Sequence, residues 1–81
     1  SEPVSGAAAR TLHVKVPNRP GVLAEVALAL GGAGIGLADL QLLPAADRAT
    51  GVIVLGIESD SQVEAASDLI SGLGHSVVEA E

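Results

Sequence analysis

The stretch Thr11-Leu12-His13-Val14-Lys15-Val16-Pro17-Asn18-Arg19-Pro20-Gly21-Val22-Leu23 sets an alternating strand against the start of an amphipathic helix, with a Pro-Gly turn between them. Leu12, Val14 and Val16 share one face of the strand, and Thr11, His13 and Lys15 share the other, which is the period-two pattern of a half-buried strand. From Pro20 onward, Leu23, Val26, Ala27 and Leu30 recur at helical spacing until Gly31, Gly32 and Gly34 stop the run. Pro20 suits the first helical position, where its missing N–H has no partner to lose, and Asn18 or Arg19 then falls in the capping region. A helix start leaves backbone N–H groups free, and such donors bind small anions such as carboxylates. Gly21 keeps side-chain bulk away from that approach. Asn-x-Pro-Gly is equally an ordinary way to begin a helix, so the turn alone does not separate a binding site from a structural device.

Working outward, a second strand is expected from about Ile35 to Leu43, with apolar positions that change phase between Leu37 and Leu40. A bulge near Ala38 and Asp39 accounts for the change. After a polar loop from Pro44 to Thr50, Gly51-Val52-Ile53-Val54-Leu55-Gly56-Ile57 is apolar on both faces and reads as a central strand. Ser61 with Glu64 three residues on has the form of a capping box, and Val63, Ala66, Ile70 and Leu73 form the stripe of a second helix. Gly72 and Gly74 end it, and His75 to Ala80 reads as a short edge strand.

The order is therefore βαββαβ, an α+β ferredoxin-like sandwich with a four-stranded antiparallel sheet and two helices on one face. Strands one and three belong in the middle. The open face then carries His13, Lys15 and one apolar row of strand three, which calls for a covering partner. Ser1 to Arg10 has the small, Pro- and Gly-containing composition of a linker, leaving residues 11–81 as the domain. The absence of methionine points to a piece of a longer polypeptide.

Composition removes several function classes. Of 81 residues, 48% are hydrophobic and 17% charged, which is the balance of a folded globule. There is no Phe, Tyr, Trp, Met or Cys. Disulfides, thiolate metal sites, cysteine nucleophiles and aromatic stacking on bases are thereby excluded. A small aliphatic core without a disulfide or zinc staple favours self-association. The net charge of −6 is uneven: residues 49–81 hold Glu58, Asp60, Glu64, Asp68, Glu79 and Glu81 and no basic residue. Nucleic acid and anionic membrane are poor partners for such a chain, and no apolar run approaches a membrane span. The expected location is cytoplasmic.

Other constellations carry little chemistry. Gly31, Gly32, Gly34 and Gly36 do not fit G-x-G-x-x-G and follow a helix, so they read as helix termination. His13 and His75 lack further ligands at metal spacing and read as solvent-facing or interface residues. The acidic residues around the second helix read as a solvated face. No catalytic set and no metal site is expected.

The turn Asn18-Arg19-Pro20-Gly21-Val22-Leu23, the Gly34-Ile35 step after the helix and the βαββαβ order together resemble the ACT domain, the small regulatory module of many amino-acid-pathway enzymes. The match spans essentially residues 11–81. Membership implies that copies pair as a homodimer and bind a free amino acid between them. It implies ligand contacts at Asn18, Arg19, Pro20, Gly21, Val22, Leu23, Gly36 and Leu37. Serine-sensing members carry asparagine where this chain has Gly36 and histidine where it has Val16, so the resemblance does not extend to serine. The segments Val16 to Val26 and Gly34 to Leu42 look most like the carboxy-terminal ACT domain of bacterial prephenate dehydrogenases, although malic enzymes and phosphoglycerate dehydrogenases have similar turns. Such a parent implies NAD as its cofactor, none in this domain, and an aromatic amino acid as the ligand.

Overall fold

The computed structural model describes residues 10–80. Strand β1 (Arg10–Pro17) leads through a turn into helix α1 (Val22–Gly32), followed by strands β2 (Leu37–Pro44) and β3 (Thr50–Ile57). A 3-10 turn at Asp60–Gln62 then runs into helix α2 (Val63–Gly72), and β4 (Ser76–Ala80) closes the fold. The four strands form one antiparallel sheet in the order β2-β3-β1-β4, with β1 and β3 central as their patterns require. The expected linker lies outside the described residues apart from Arg10, which opens β1 instead.

Alternation in β1 buries Leu12, Val14 and Val16 against the helices. In β3 the same face carries Ile53, Leu55 and Ile57, because β3 pairs with β1 in a register that sets Leu12 opposite Leu55 and Val14 opposite Ile53. Helix α1 contributes Val22, Val26 and Leu30, and α2 contributes Ala66 and Ile70. These positions are spaced by four residues and so stack on one helix face. On the other sheet face, His13 pairs with Val54 and Lys15 with Val52, which leaves the half-buried valine row that the sequence pattern implied.

The phase change in β2 is a bulge, with the register slipping between Leu37 and Asp39. Ile35, expected to start that strand, instead ends the helix. Gly34 adopts φ +77°, its N–H donates to the Gly31 carbonyl (3.0 Å), and the Ile35 N–H donates to the Leu30 carbonyl (3.0 Å). This is a Schellman ending, whose last residue packs back on the helix, and Ile35 is accordingly buried.

The Ser61–Glu64 capping box does not form. Neither helical segment has a side-chain cap bond, and the Ser61 hydroxyl shares a hydrogen bond with that of Ser59 (2.8 Å). Gln62 fixes the start of α2 by a longer-range clamp: its Nε2 donates to the Gly34 carbonyl and its Oε1 accepts the Gly36 N–H, each at 3.1 Å. In the α2 stripe, Leu73 is exposed, and Leu69 packs against the core instead.

Candidate functional site

The helix start expected to bind an anion is built differently from its sequence reading. Pro20 is not the first helical residue. It occupies the second position of a four-residue turn, Arg19 to Val22, closed by donation from the Val22 N–H to the Arg19 carbonyl (3.2 Å). Gly21 is the N-cap of α1, with φ +86° and ψ −7°, the third-position geometry of a type II turn, which L side chains resist. A Cβ at Gly21 would meet nothing within 4 Å. The left-handed backbone, rather than crowding within the protein, therefore requires glycine here.

Beyond the turn, the Glu25 N–H donates to the Gly21 carbonyl (2.9 Å) as the first helical bond. The N–H groups of Leu23 and Ala24 find no acceptor among the described residues. These two donors, at the positive end of an 11-residue helix, are the ones the chain offers to an anion. Val22 cannot serve, since its N–H closes the turn and its side chain is wholly buried.

Neither Asn18 nor Arg19 caps α1, because both are tied elsewhere. Asn18 staples the turn to the β2–β3 loop: its N–H donates to the Ala49 carbonyl (3.0 Å) and its Nδ2 to the Arg48 carbonyl (3.1 Å). Its Oδ1 accepts no hydrogen bond among the described residues. Arg19 Nη2 donates to Glu25 Oε1 at 2.7 Å, an ion pair with both side chains partly exposed. Such a pair stabilises by no more than about 1 kcal/mol, so it orients the turn more than it holds the fold. The same Glu25 oxygen lies 3.9 Å from His75 Nε2. Of the two roles expected for His75, solvent-facing or interface, the first is not met, since its side chain is only 7% exposed.

The loop that receives Asn18 is ordered by Asp47, whose Oδ1 accepts from the Ala49 N–H (2.9 Å), the Thr50 N–H (3.1 Å) and the Thr50 hydroxyl (3.2 Å). Donation from the Thr50 N–H, and then from the Ala49 N–H, holds the Asp47 carboxyl below the ordinary value of 3.8. A depressed carboxylate contributes stability above its unfolded-state pKa and loses it as pH falls through the lower folded value. We expect Asp47→Asn to lower the urea midpoint at neutral pH, and the gap from wild type to close as the pH drops below 3.8. A gap of constant size down to acid pH would contradict this role.

Gly36 and Leu37 lie at the other end of the molecule. Leu37 pairs with Ile57, while Pro44 at the far end of β2 pairs with Gly51, beside the loop that Asn18 holds. An eight-residue strand separates the ends by about 20 Å at its usual rise. One chain therefore does not bring Asn18 to Leu23 and Gly36 to Leu37 around one small ligand. Gly36 is already occupied by its own neighbours. Its carbonyl accepts the Glu58 N–H (3.0 Å), its N–H is held by Gln62, and the Glu58 carboxylate lies where a Cβ would stand.

A cleft of about 320 Å³ opens at that same end, lined by Arg10, Leu12, Asp60, Val63, Glu64, Ser67 and Asp68. Arg10 Nη1 bridges to Asp60 Oδ1 there at 2.7 Å. It contains none of the expected site residues. Among the described residues, no group of three or more His, Asp or Glu is placed to hold a metal ion, and no helix is long and apolar enough to cross a membrane.

No protein-family model matches the sequence, and no curated protein does so either. Solved structures do match. Protein BT0572 from Bacteroides thetaiotaomicron superposes with a TM-score of 0.71 at 23% identity, over 94% of this chain and 50% of that one. The ligand-free regulatory subunit of aspartate kinase from Thermus thermophilus gives 0.73 at 14% identity, over 99% of this chain and 56% of that one. The chain thus spans about half the length of each. The likeness, the strand order and the paired helices together give this chain an ACT-like ferredoxin fold.

Proposed function

We propose that the chain is an amino-acid-binding regulatory domain of an enzyme of amino-acid metabolism, working as a pair of copies that hold the ligand between them. The observation that carries this reading is the pair of unengaged N–H groups, Leu23 and Ala24, presented at the start of α1 by a rigid turn. They receive the carboxylate, and Asn18 Oδ1 accepts from the ammonium. Gly36 and Leu37 join them from the second copy, since within one chain they sit at the opposite end of β2. Pairing is favoured by β2 as an edge strand with Leu43 exposed, and by Leu28, which is 75% exposed on α1. The fold shared with a regulatory subunit of aspartate kinase agrees with a regulatory role.

The finer reading follows the turn sequence. The parent is an NAD-dependent, cytoplasmic prephenate dehydrogenase, the ligand is an aromatic amino acid, and this domain performs no catalysis itself. A second reading is favoured by Gly36, whose backbone groups are already satisfied and whose open side is filled by Glu58. In it, the domain only pairs.

Calorimetry with tyrosine, phenylalanine and other amino acids tests the choice. We expect modest affinity for at least one, and a loss of about 1–3 kcal/mol of binding in Asn18→Ala, the usual effect of deleting a charged hydrogen bond. The absence of heat from every amino acid at millimolar concentration, in a protein that sediments as a pair, leaves the pairing module as the function.

A further inference from the structure

The His75 side chain buries a ring nitrogen that neither the fold nor the carboxylate site, as described, puts to use. The residue follows Gly74, whose φ of +94° ends α2 in the same way that Gly34 ends α1. The His75 N–H donates to the Ile70 carbonyl (3.4 Å) and the Gly74 N–H to the Ser71 carbonyl (2.9 Å). The equivalent residue after α1 is the apolar Ile35. An imidazole thus occupies a position where packing wants a hydrocarbon. Its side chain is 7% exposed, and its Nε2 is buried without a hydrogen-bond partner.

That nitrogen faces the first turn of α1. The next residue, Ser76, pairs with Lys15, which brings the α2–β4 junction beside the turn that opens the helix. Glu25 Oε1 stands 3.9 Å from Nε2, too far for a hydrogen bond, while accepting Arg19 Nη2 at 2.7 Å. Three segments therefore converge on one carboxylate oxygen, carried by the same first turn of α1 as the unengaged Leu23 and Ala24 N–H groups. Lys15 alternates with the buried Val14 and Val16 and so points to the opposite sheet face. The last turn of α2 has no basic residue, and Asp68 is exposed. Among the described side chains, Glu25 is the charged group His75 approaches, and Arg19 reaches it through Glu25.

We propose that carboxylate binding at the start of α1 is proton-linked through His75, with protonated Nε2 taking over Glu25 and releasing Arg19 to the ligand. The proposal rests on the amino-acid reading given above. A neutral ring with its proton on Nδ1 sets a lone pair against the Glu25 oxygen. A proton taken from solvent onto Nε2 turns that contact into a charge-assisted hydrogen bond, after about an ångström of approach on the 3.9 Å separation. Glu25 is then neutralised from inside the fold. Arg19, exposed on the turn, can turn its planar fork to a bound carboxylate. By reciprocity, the ligand favours protonation as much as the proton favours the ligand.

The test is calorimetric titration with L-phenylalanine, and with 3-phenylpropanoate as the same carboxylate without its ammonium, between about pH 5.5 and about pH 8. Wild type should bind both about tenfold more tightly at the acid end, a difference of about 1.4 kcal/mol. His75→Gln should flatten the profile, and Arg19→Gln, an exposed change that leaves the core intact, should flatten it at the weaker level. His13→Gln should keep the wild-type profile. Equal wild-type affinity across the range, or a pH slope that survives in Arg19→Gln, overturns the linkage while leaving the site. Failure of both compounds to bind at any pH overturns the aromatic-ligand reading and the linkage argued on it, while the wider amino-acid reading falls only with the full panel above.

Discussion

Leu55→Ala is expected to cost about 2–5 kcal/mol, the range for emptying a fully buried leucine site, against a total stability of about 5–15 kcal/mol for a domain. Leu55 is wholly buried in β3, flanked by Leu12 of β1 and Leu40 of β2. Strands on both sides prevent the cavity from closing. The chain contains no aromatic residue, so no large ring is available to swing into the gap. The urea midpoint should fall steeply with an unchanged slope. Leu28→Ala, on the exposed side of α1, should leave the isolated copy within about 0.5 kcal/mol of wild type and weaken pairing instead. Equal losses in the two variants would mean that the core has been misplaced.

Gly21→Val should be the most damaging single change at the turn, costing about 1–3 kcal/mol from backbone strain. The cause is the φ of +86°, which a β-branched residue resists strongly and asparagine tolerates better. Gly21→Asn should therefore recover most of the loss, because a side chain there meets nothing within 4 Å. If valine and asparagine cost the same, space rather than backbone conformation governs the position. Gly36→Ala should be mild by comparison, since it displaces only the end of the flexible Glu58 side chain.

The parts of the fold that local periodicity controls were legible in the sequence. Alternation placed β1 and its buried face, two-sided apolarity placed β3 in the centre, and a phase slip located the bulge between Leu37 and Asp39. Competing local rules were harder to separate. Proline suits both the first position of a helix and the second position of a type II turn, and only the left-handed φ of Gly21 decides between them. Ser61-x-x-Glu64 has the form of a cap, yet the fold recruits Gln62, because its partners Gly34 and Gly36 come from a distant loop that no local motif reports.

His75 was within reach of the sequence. The chain repeats a helix-Gly-X step at Gly34-Ile35 and Gly74-His75, and aligning the two repeats puts His75 at a buried position. The separation of Gly36 and Leu37 from Asn18 was also implied by topology. A helix that starts where β1 ends and stops where β2 begins, with β1 and β2 both antiparallel to β3, must carry the chain back to the opposite end of the strands. Residue types alone could not show that the Gly36 end is filled by Glu58, since that depends on side-chain placement across β2 and β3.

The most direct test of the account is a titration of the nitrogen-15-labelled protein with L-phenylalanine and L-tyrosine, following backbone amide shifts. The two unengaged donors, Leu23 and Ala24, should move first and furthest, with Gly36 and Leu37 responding at the same ligand concentration because a second copy brings them to the same ligand. Shifts confined to the cleft between Arg10 and Asp68, or an unchanged spectrum at millimolar ligand from a paired protein, would contradict it.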